Sequence, residues 1–176
     1  MESLRLTYST ALFMKLGCES TGQLLGDETL KTYEEFCLEK NAVWFSTNSL
    51  SHGMEKARLT QLLAAIKNGQ IVEMFFCVGK AAHGNNQITY KAEVQDIRSN
   101  SDGMISPNPE LTPKRWRELE NKIWILCTEF RSADQEDRTE NFVVETSGTI
   151  LADSIANSQH HFGYITKRST STIDLV

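Results

Sequence analysis

The fold is decided by residues 42–79, AVWFSTNSLSHGMEKARLTQLLAAIKNGQIVEMFFCVG, which read as a strand, a helix and a second strand. Residues 42–47 are rich in β-branched and aromatic side chains, which predicts a short buried strand. In residues 55–68, leucine and isoleucine recur at helical spacing, and Asn68-Gly69 is a typical helix end. Residues 70–79 are apolar at most positions, which predicts a strand buried on both faces. This arrangement favours a sheet with helices packed against it.

The flanking sequence supplies further elements of the same kinds. Residues 11–16 (ALFMKL) predict a first strand, and Asp27 is suited to cap a helix that runs to about Lys40. Residues 87–97 alternate apolar and polar side chains, which is typical of a half-exposed strand. Residues 98–112 read as a long polar loop. The remaining predicted elements are a short turn around Trp116 capped by Thr112, strands at 122–130, 142–145 and 162–165, and a helix at 149–158.

These elements predict an α+β fold. The architecture that fits them is a small, mostly antiparallel, partly open β-barrel of about six strands, flanked by about three helices. The chain has 176 residues, the length of one ordinary domain. We assign this domain to residues 1–166 and expect residues 167–176 to be a linker-like tail, which suggests a piece of a larger protein.

Composition and charge exclude several classes of protein. With 18 Lys and Arg against 23 Asp and Glu, the net charge is −5, so a uniformly basic nucleic-acid binder is excluded, although a local basic face is not. No apolar run approaches the ~20 residues of a membrane span, and the first ten residues lack a signal-peptide core. We therefore expect an intracellular protein, cytoplasmic or, in a eukaryote, nuclear, with no membrane partner.

The sequence carries no motif for metal or catalytic chemistry. The four cysteines, at positions 18, 37, 77 and 127, form no CxxC pair and are expected to be buried thiols. The four histidines do not complete a zinc pattern with them. Nucleophile-elbow, HExxH and phosphate-loop motifs are absent from the sequence. The expectation is a binding protein without metal or cofactor, and not an enzyme.

An ordered set of motifs resembles the YTH domain, a reader of N6-methyladenine, and more widely the EVE and PUA-like domains that read modified bases. The family has a strand with V-W-x-S-T or a close variant, a helix, an apolar strand that ends at a small loop, and a strand of the G-x-A-E-V type. A K-W-x-G turn then precedes a strand that begins W-I. The counterparts here are 43–47 (VWFST), the helix from Glu55, 72–79, 90–94 (YKAEV), 114–117 (KRWR) and 123–126 (IWIL), within residues 28–131.

The resemblance implies a pocket for one methylated base. Trp44 and Trp116 match two tryptophans of the family and are expected to face each other across a slot. Ser46 lies in the stretch whose backbone the family uses to bond the base edge. Two departures are Leu111, where many members have another cage tryptophan, and Glu34, where the family has an Asp or Asn that touches the base.

Basic residues near these motifs suggest a rim that contacts phosphates. Segment 113–122 contains four basic and two acidic residues, against the acidic balance of the whole chain. The predicted phosphate-binding residues are Lys80, Lys114, Arg115, Arg117 and Lys122.

The expected partner is DNA or RNA that carries a methylated base, and further domains of a larger chain are a second expectation. One reading is the specificity domain of a methyl-directed restriction system, and a close competitor is an N6-methyladenosine RNA reader. A third reading is a barrel that has lost its pocket and serves as a protein-interaction domain. Nothing in the sequence separates DNA from RNA.

Overall fold

The computed structural model describes residues 4–17, 26–157 and 162–169. This part of the chain contains seven strands and three α-helices, each numbered in chain order. The strands are Ala11–Leu16 (β1), Val43–Thr47 (β2), Val72–Val78 (β3), Ile88–Met104 (β4), Asn121–Ser132 (β5), Phe142–Val144 (β6) and Phe162–Lys167 (β7). The α-helices are Gly26–Lys40 (α1), Lys56–Lys67 (α2) and Leu151–Asn157 (α3).

Helix α2 shows how local sequence sets the elements. It buries Leu62 and Ala65 against the sheet, in agreement with the apolar stripe. The helix ends in a Schellman arrangement, because the Gly69 N–H bonds the carbonyl of Ile66 and the Gln70 N–H bonds that of Ala65, each at 3.0 Å. Gly69 has φ +84, a conformation that glycine adopts without cost.

The strands form one mixed sheet in the order β2-β5-β4-β3-β1-β7-β6. Strands β1 and β3 pair in parallel, with Leu12 opposite Met74, and the other pairs described are antiparallel. The parallel pair requires a long connection, which α1, β2 and α2 provide. The predicted α+β class and the number of helices are therefore confirmed.

The sheet curls but does not close into the predicted barrel. Strands β1 and β2 lie four positions apart, which would be roughly 19 Å in a flat sheet. Met14 of β1 and Phe45 of β2 nevertheless belong to one core cluster, and they line one cleft. No hydrogen-bonded pairing between these two strands is present in the described residues. Tyr33 of α1 and Trp116 lie at this gap, since both line the same cleft.

Two apolar cores cover the two faces of the sheet. The larger one packs α1 and α2 against the concave face and includes Phe76, Ile125 and Phe130. The smaller one packs α3 against the other face and includes Phe75 of β3 and Phe142 of β6. Alternate residues of β3 thus enter different cores, which explains why residues 70–79 are apolar at most positions.

The predicted polar loop at 98–112 is wrong over its first half. Strand β4 continues to Met104, and Arg98 and Ser99 pair with Trp124 and Ile123 of β5. Polar composition favours a loop, but pairing with a buried strand provides the backbone hydrogen bonds and overrides that preference.

The first residue that the sequence assigns to a linker-like tail belongs to the sheet instead. Lys167 is the last residue of β7 and pairs with Phe142, so at least this residue belongs to the sheet. Arg168 continues the contact, because its N–H donates to the Asn141 carbonyl at 2.7 Å. Residues 170–176, and with them most of the predicted tail, lie outside the described residues.

Candidate functional site

A cleft of about 300 Å³ opens where the ends of β1 and β2 approach each other. This volume lies at the lower end of the range for small-molecule sites, ~300–1,000 Å³. Its wall combines aromatic side chains with a short polar run at the end of β2. The described lining consists of Met14, Leu16, Gly17, Thr29, Tyr33, Phe45, Ser46, Thr47, Asn48, Trp116, Leu119 and Asn121.

The aromatic side of the cleft is a rigid stack. The rings of Trp116 and Tyr33 are stacked, with centroids 4.6 Å apart and planes 12° from parallel. Tyr33 also contacts Phe45 at 5.2 Å and Phe130 at 5.8 Å between centroids. Trp116 is 6% exposed and Tyr33 is 3% exposed, so packing fixes their orientation.

A braced turn holds Trp116 in place. Its N–H bonds the carbonyl of Pro113 at 2.9 Å, within the 3₁₀ turn Lys114–Trp116. The guanidinium of Arg117 donates to the carbonyl of Thr112 at 2.7 Å. Thr112 does not cap the turn as predicted, because Pro113 occupies the cap position. Its hydroxyl bonds Ser106 instead, and both side chains are buried.

The polar side of the cleft is built from the end of β2 and the start of β5. The Asn121 amide donates to the Ser46 hydroxyl at 2.8 Å. Asn48 accepts from the backbone N–H of Lys122 at 2.8 Å, and Thr47 bonds Ser49 through its hydroxyl at 2.8 Å. The Asn121 and Asn48 bonds tie the two strands together at the mouth of the cleft, and the Thr47 bond closes the turn after β2.

The facing pair of indoles expected from the resemblance is not formed in the described residues. Val43 and Phe45 belong to the larger core, so the two-residue period of a strand directs Trp44 to the opposite face. Trp44 is 4% exposed, and it is not part of the described lining of the cleft. Trp116 and Ser46 are therefore brought together, and Trp44 is separated from them.

The two residues that depart from the family pattern also lie outside the cleft lining described above. Glu34 is on α1, where its carboxylate accepts from the Tyr90 hydroxyl at 3.5 Å. Burial first, and then the Glu34 charge, raise the pKa of the Tyr90 hydroxyl. Leu111 closes a 3₁₀ turn at Pro109–Leu111 and is half-buried. A contact of either residue with a base stays a prediction.

Four of the five predicted phosphate-binding residues lie close to the cleft in sequence and space. Lys114 is exposed, and the Arg115 guanidinium lies 5.6 Å from the centre of the Trp116 ring. Arg117 braces the turn, and the Lys122 ammonium donates to the Ser51 carbonyl at 2.6 Å. Lys80 is exposed on a 3₁₀ turn after β3, next to Gly79, whose N–H bonds the Leu16 carbonyl at 3.0 Å.

Tyr33, Phe45 and Asn121 line the site but are not among the residues predicted for it. In the sequence, Tyr33 is one of several apolar residues at helical spacing, and Phe45 is part of a run that predicts a buried strand. Their aromatic character was the available signal, but which face of an all-apolar strand opens onto a cleft depends on how the sheet curls.

The described cysteines are buried and poorly suited to form reactive thiolates. Cys37, Cys77 and Cys127 are free thiols with little or no exposure. Burial raises the pKa of the Cys77 thiol to about 12, and it raises the pKa of Cys127 as well. Within the described residues, no group of three His, Cys, Asp or Glu side chains is placed to hold a metal ion. None of the described helices is long and apolar enough to cross a membrane.

The fold and site thus define an α+β protein with a curled mixed sheet and an aromatic cleft at its open seam. No protein-family model, curated protein or solved structure matches this chain.

Proposed function

We propose that this protein is a nucleic-acid-binding module that takes one methylated base, of the N6-methyladenine type, into the cleft at the seam of the sheet. The proposal rests on one observation: Trp116 and Ser46 line the same cleft, together with Tyr33 and Phe45. Two residues selected for base binding from the sequence, 70 positions apart in the chain, share a wall with further aromatic rings.

The energetics of base recognition require such a wall. Removing a base from its stack costs a few kcal/mol, and each base–aromatic contact returns about 1–3 kcal/mol. Two ring contacts are therefore enough to offset the extraction. Removing the methyl carbon from water adds about 0.8 kcal/mol. Rings that cannot move aside keep this difference in affinity between the methylated and the unmethylated base. Stacking on Tyr33 holds the Trp116 indole fixed in the wall of the cleft.

Basic side chains beside the cleft support contacts with phosphates. Lys114 and Arg115 are exposed at the turn that carries Trp116, and Lys122 follows Asn121 of the cleft wall. Basic groups around one opening attract the nucleic-acid backbone even when the whole chain is acidic. The same arrangement serves the specificity domain of a methyl-directed restriction system and an RNA reader, so both DNA and RNA belong in the test.

The test compares matched substitutions of two buried tryptophans. Trp116→Leu removes an indole from the cleft, and Trp44→Leu removes one from the other face, with the same change in side-chain size. Binding is measured by fluorescence anisotropy of labelled single-stranded DNA and RNA oligonucleotides, each with one N6-methyladenine or with adenine. Melting temperatures of both variants record any loss of folding.

We expect the wild-type protein to prefer the methylated strand and Trp116→Leu to lose that preference. Trp44→Leu should bind like the wild type once its stability has been checked. If only Trp44→Leu loses binding, the base contacts Trp44, as the family resemblance implies. That result would contradict the proposal that the base binds in the cleft.

A protein-interaction domain is the competing function, and the net charge of −5 together with the burial of Trp44 favours it. If no oligonucleotide binds to the wild-type protein even at low salt, the base-reading proposal fails and this alternative is preferred.

A further inference from the structure

Most polar groups that line the cleft are already used to hold the fold. Thr47 accepts from the backbone N–H of Ser49 at 3.0 Å and bonds the Ser49 hydroxyl at 2.8 Å. The Asn48 carbonyl oxygen accepts from the N–H of Lys122, and its amide nitrogen donates to the carbonyl of Glu120. These bonds close the turn after β2 and fix the start of β5, so these side chains have little capacity left for a ligand.

Ser46 and Asn121 are different, because their bond to each other leaves capacity on both. In that bond Ser46 is the acceptor, so its own O–H proton is still available. The Asn121 amide nitrogen is the donor, so its carbonyl oxygen is still available. Within residues 4–17, 26–157 and 162–169, no other hydrogen bond to either side chain is found. Both residues are half-buried and line the cleft.

We infer that Ser46 and Asn121 form the specificity-determining pair of the cleft, which reads the hydrogen-bonding edge of the bound base. The inference rests on the proposed function. The carbonyl oxygen of Asn121 accepts the exocyclic N–H of an adenine-type base, and the hydroxyl of Ser46 donates to a neighbouring ring nitrogen.

This pairing defines the substrate class more narrowly than methylation alone. An adenine with one methyl group on its exocyclic nitrogen keeps one N–H, whereas an adenine with two has none. The doubly methylated base would leave the Asn121 oxygen without a donor in a partly dehydrated site, which is costly. The site is therefore selective for the monomethylated base over the dimethylated base.

The test measures the ratio of affinities for the two bases. Oligonucleotides identical except for one N6-methyladenine or one N6,N6-dimethyladenine are titrated against the wild-type protein by anisotropy. In Asn121→Leu the acceptor oxygen is lost at similar volume, and in Asn121→Asp an acceptor oxygen is kept. Asn141→Leu is the matched control, because the Asn141 amide donates to the Glu136 carbonyl on an exposed surface that is not part of the cleft lining.

The wild-type protein, Asn141→Leu and Asn121→Asp should favour the monomethylated base by about tenfold, the effect of one buried acceptor left unpaired. In Asn121→Leu this ratio should fall to about one. If Asn121 has only a structural role, Asn121→Leu should weaken both affinities and leave their ratio unchanged. That result would overturn the assignment of Asn121 but not the proposed function. If the wild-type protein binds none of the oligonucleotides, the proposed function and the assignment fail together.

Discussion

At the scale of single residues, Trp44 and Trp116 show how position outweighs residue type. Trp44 lies between Val43 and Phe45, and all three are buried, so the sequence contains no alternation that tells which face the indole takes. Trp116 lies on a turn, where the stacking of Tyr33 decides its orientation. The family resemblance selected both residues, but only Trp116 lines the cleft, because the pleat of β2 turns Phe45 towards it in place of Trp44.

The ion cluster around Lys91 provides a prediction at the same scale. The Lys91 ammonium lies 3.0 Å from Asp137, 3.2 Å from Asp134 and 3.3 Å from Glu73, and the Asp137 side chain is 5% exposed. In Lys91→Met the carboxylates lose their shared cation, and Asp137 stays buried as an unpaired charge. We expect the free energy of unfolding to fall by about 3 kcal/mol, measured by urea denaturation at pH 7.

Arg98→Met is the control for this prediction. Its guanidinium pairs with Asp96 at 2.9 Å, but the side chain of Arg98 is 56% exposed. Exposed pairs contribute about 0–1 kcal/mol, so this variant should be nearly as stable as the wild type. Equal losses in both variants would show that the Lys91 cluster is not the stronger interaction.

At the scale of elements, the sequence predicts those helices and strands that depend on local residue preferences. Helix α2 and its end at Gly69 follow from the apolar stripe and the turn chemistry, and β1, β2, β3 and β5 follow from short apolar runs. The extension of β4 to Met104 had no such signal, because its residues are polar and the strand exists through pairing with β5. Such pairing is a tertiary interaction that no local pattern contains.

The hairpin between β3 and β4 provides a second prediction. The Gly84 N–H bonds the carbonyl of Gly79 at 2.9 Å, and the Asn86 N–H bonds that of Val78 at 3.0 Å, so the loop folds tightly over the end of β3. A methyl group at position 84 would collide with the carbonyl group of Val78, and backbone cannot move aside cheaply. Gly84→Ala should therefore lower the free energy of unfolding by about 2–3 kcal/mol.

Gly163→Ala is the comparison for this hairpin variant. A methyl group there meets no atom within 4 Å, and the position lies in β7. With no collision, the added methyl group mainly restricts the unfolded chain, and the variant should be as stable as the wild type or slightly more so. Denaturation midpoints of the two variants give the answer, and equal midpoints would remove the steric argument.

At the scale of the whole molecule, the cleft exists because the sheet curls without closing. The parallel pair of β1 and β3 carries β1 round towards β2, and the space left between them holds Tyr33 and Trp116. The sequence predicts a partly open barrel flanked by helices, whereas the structure has one mixed sheet that does not close, and the position of its seam has no local signal. The position of a seam depends on the pairing of all seven strands, which no single segment specifies.

The charge of the whole molecule provides the last prediction, which concerns binding and rests on the proposed function. The chain carries −5 overall, so nucleic acid must be attracted by the local field at the turn that carries Trp116. In the double variant Lys114→Ala, Arg115→Ala, affinity should fall for methylated and unmethylated strands alike. The slope of log affinity against log salt should flatten by about 1–2, because two phosphate contacts are lost.

The control is the double variant Lys56→Ala, Lys67→Ala on α2. It removes the same charge at positions outside the cleft lining and should leave that slope unchanged. A loss in the Lys114 and Arg115 variant that is confined to the methylated strand would show that these residues act on the base pocket, and equal losses in both double variants would show that only net charge matters.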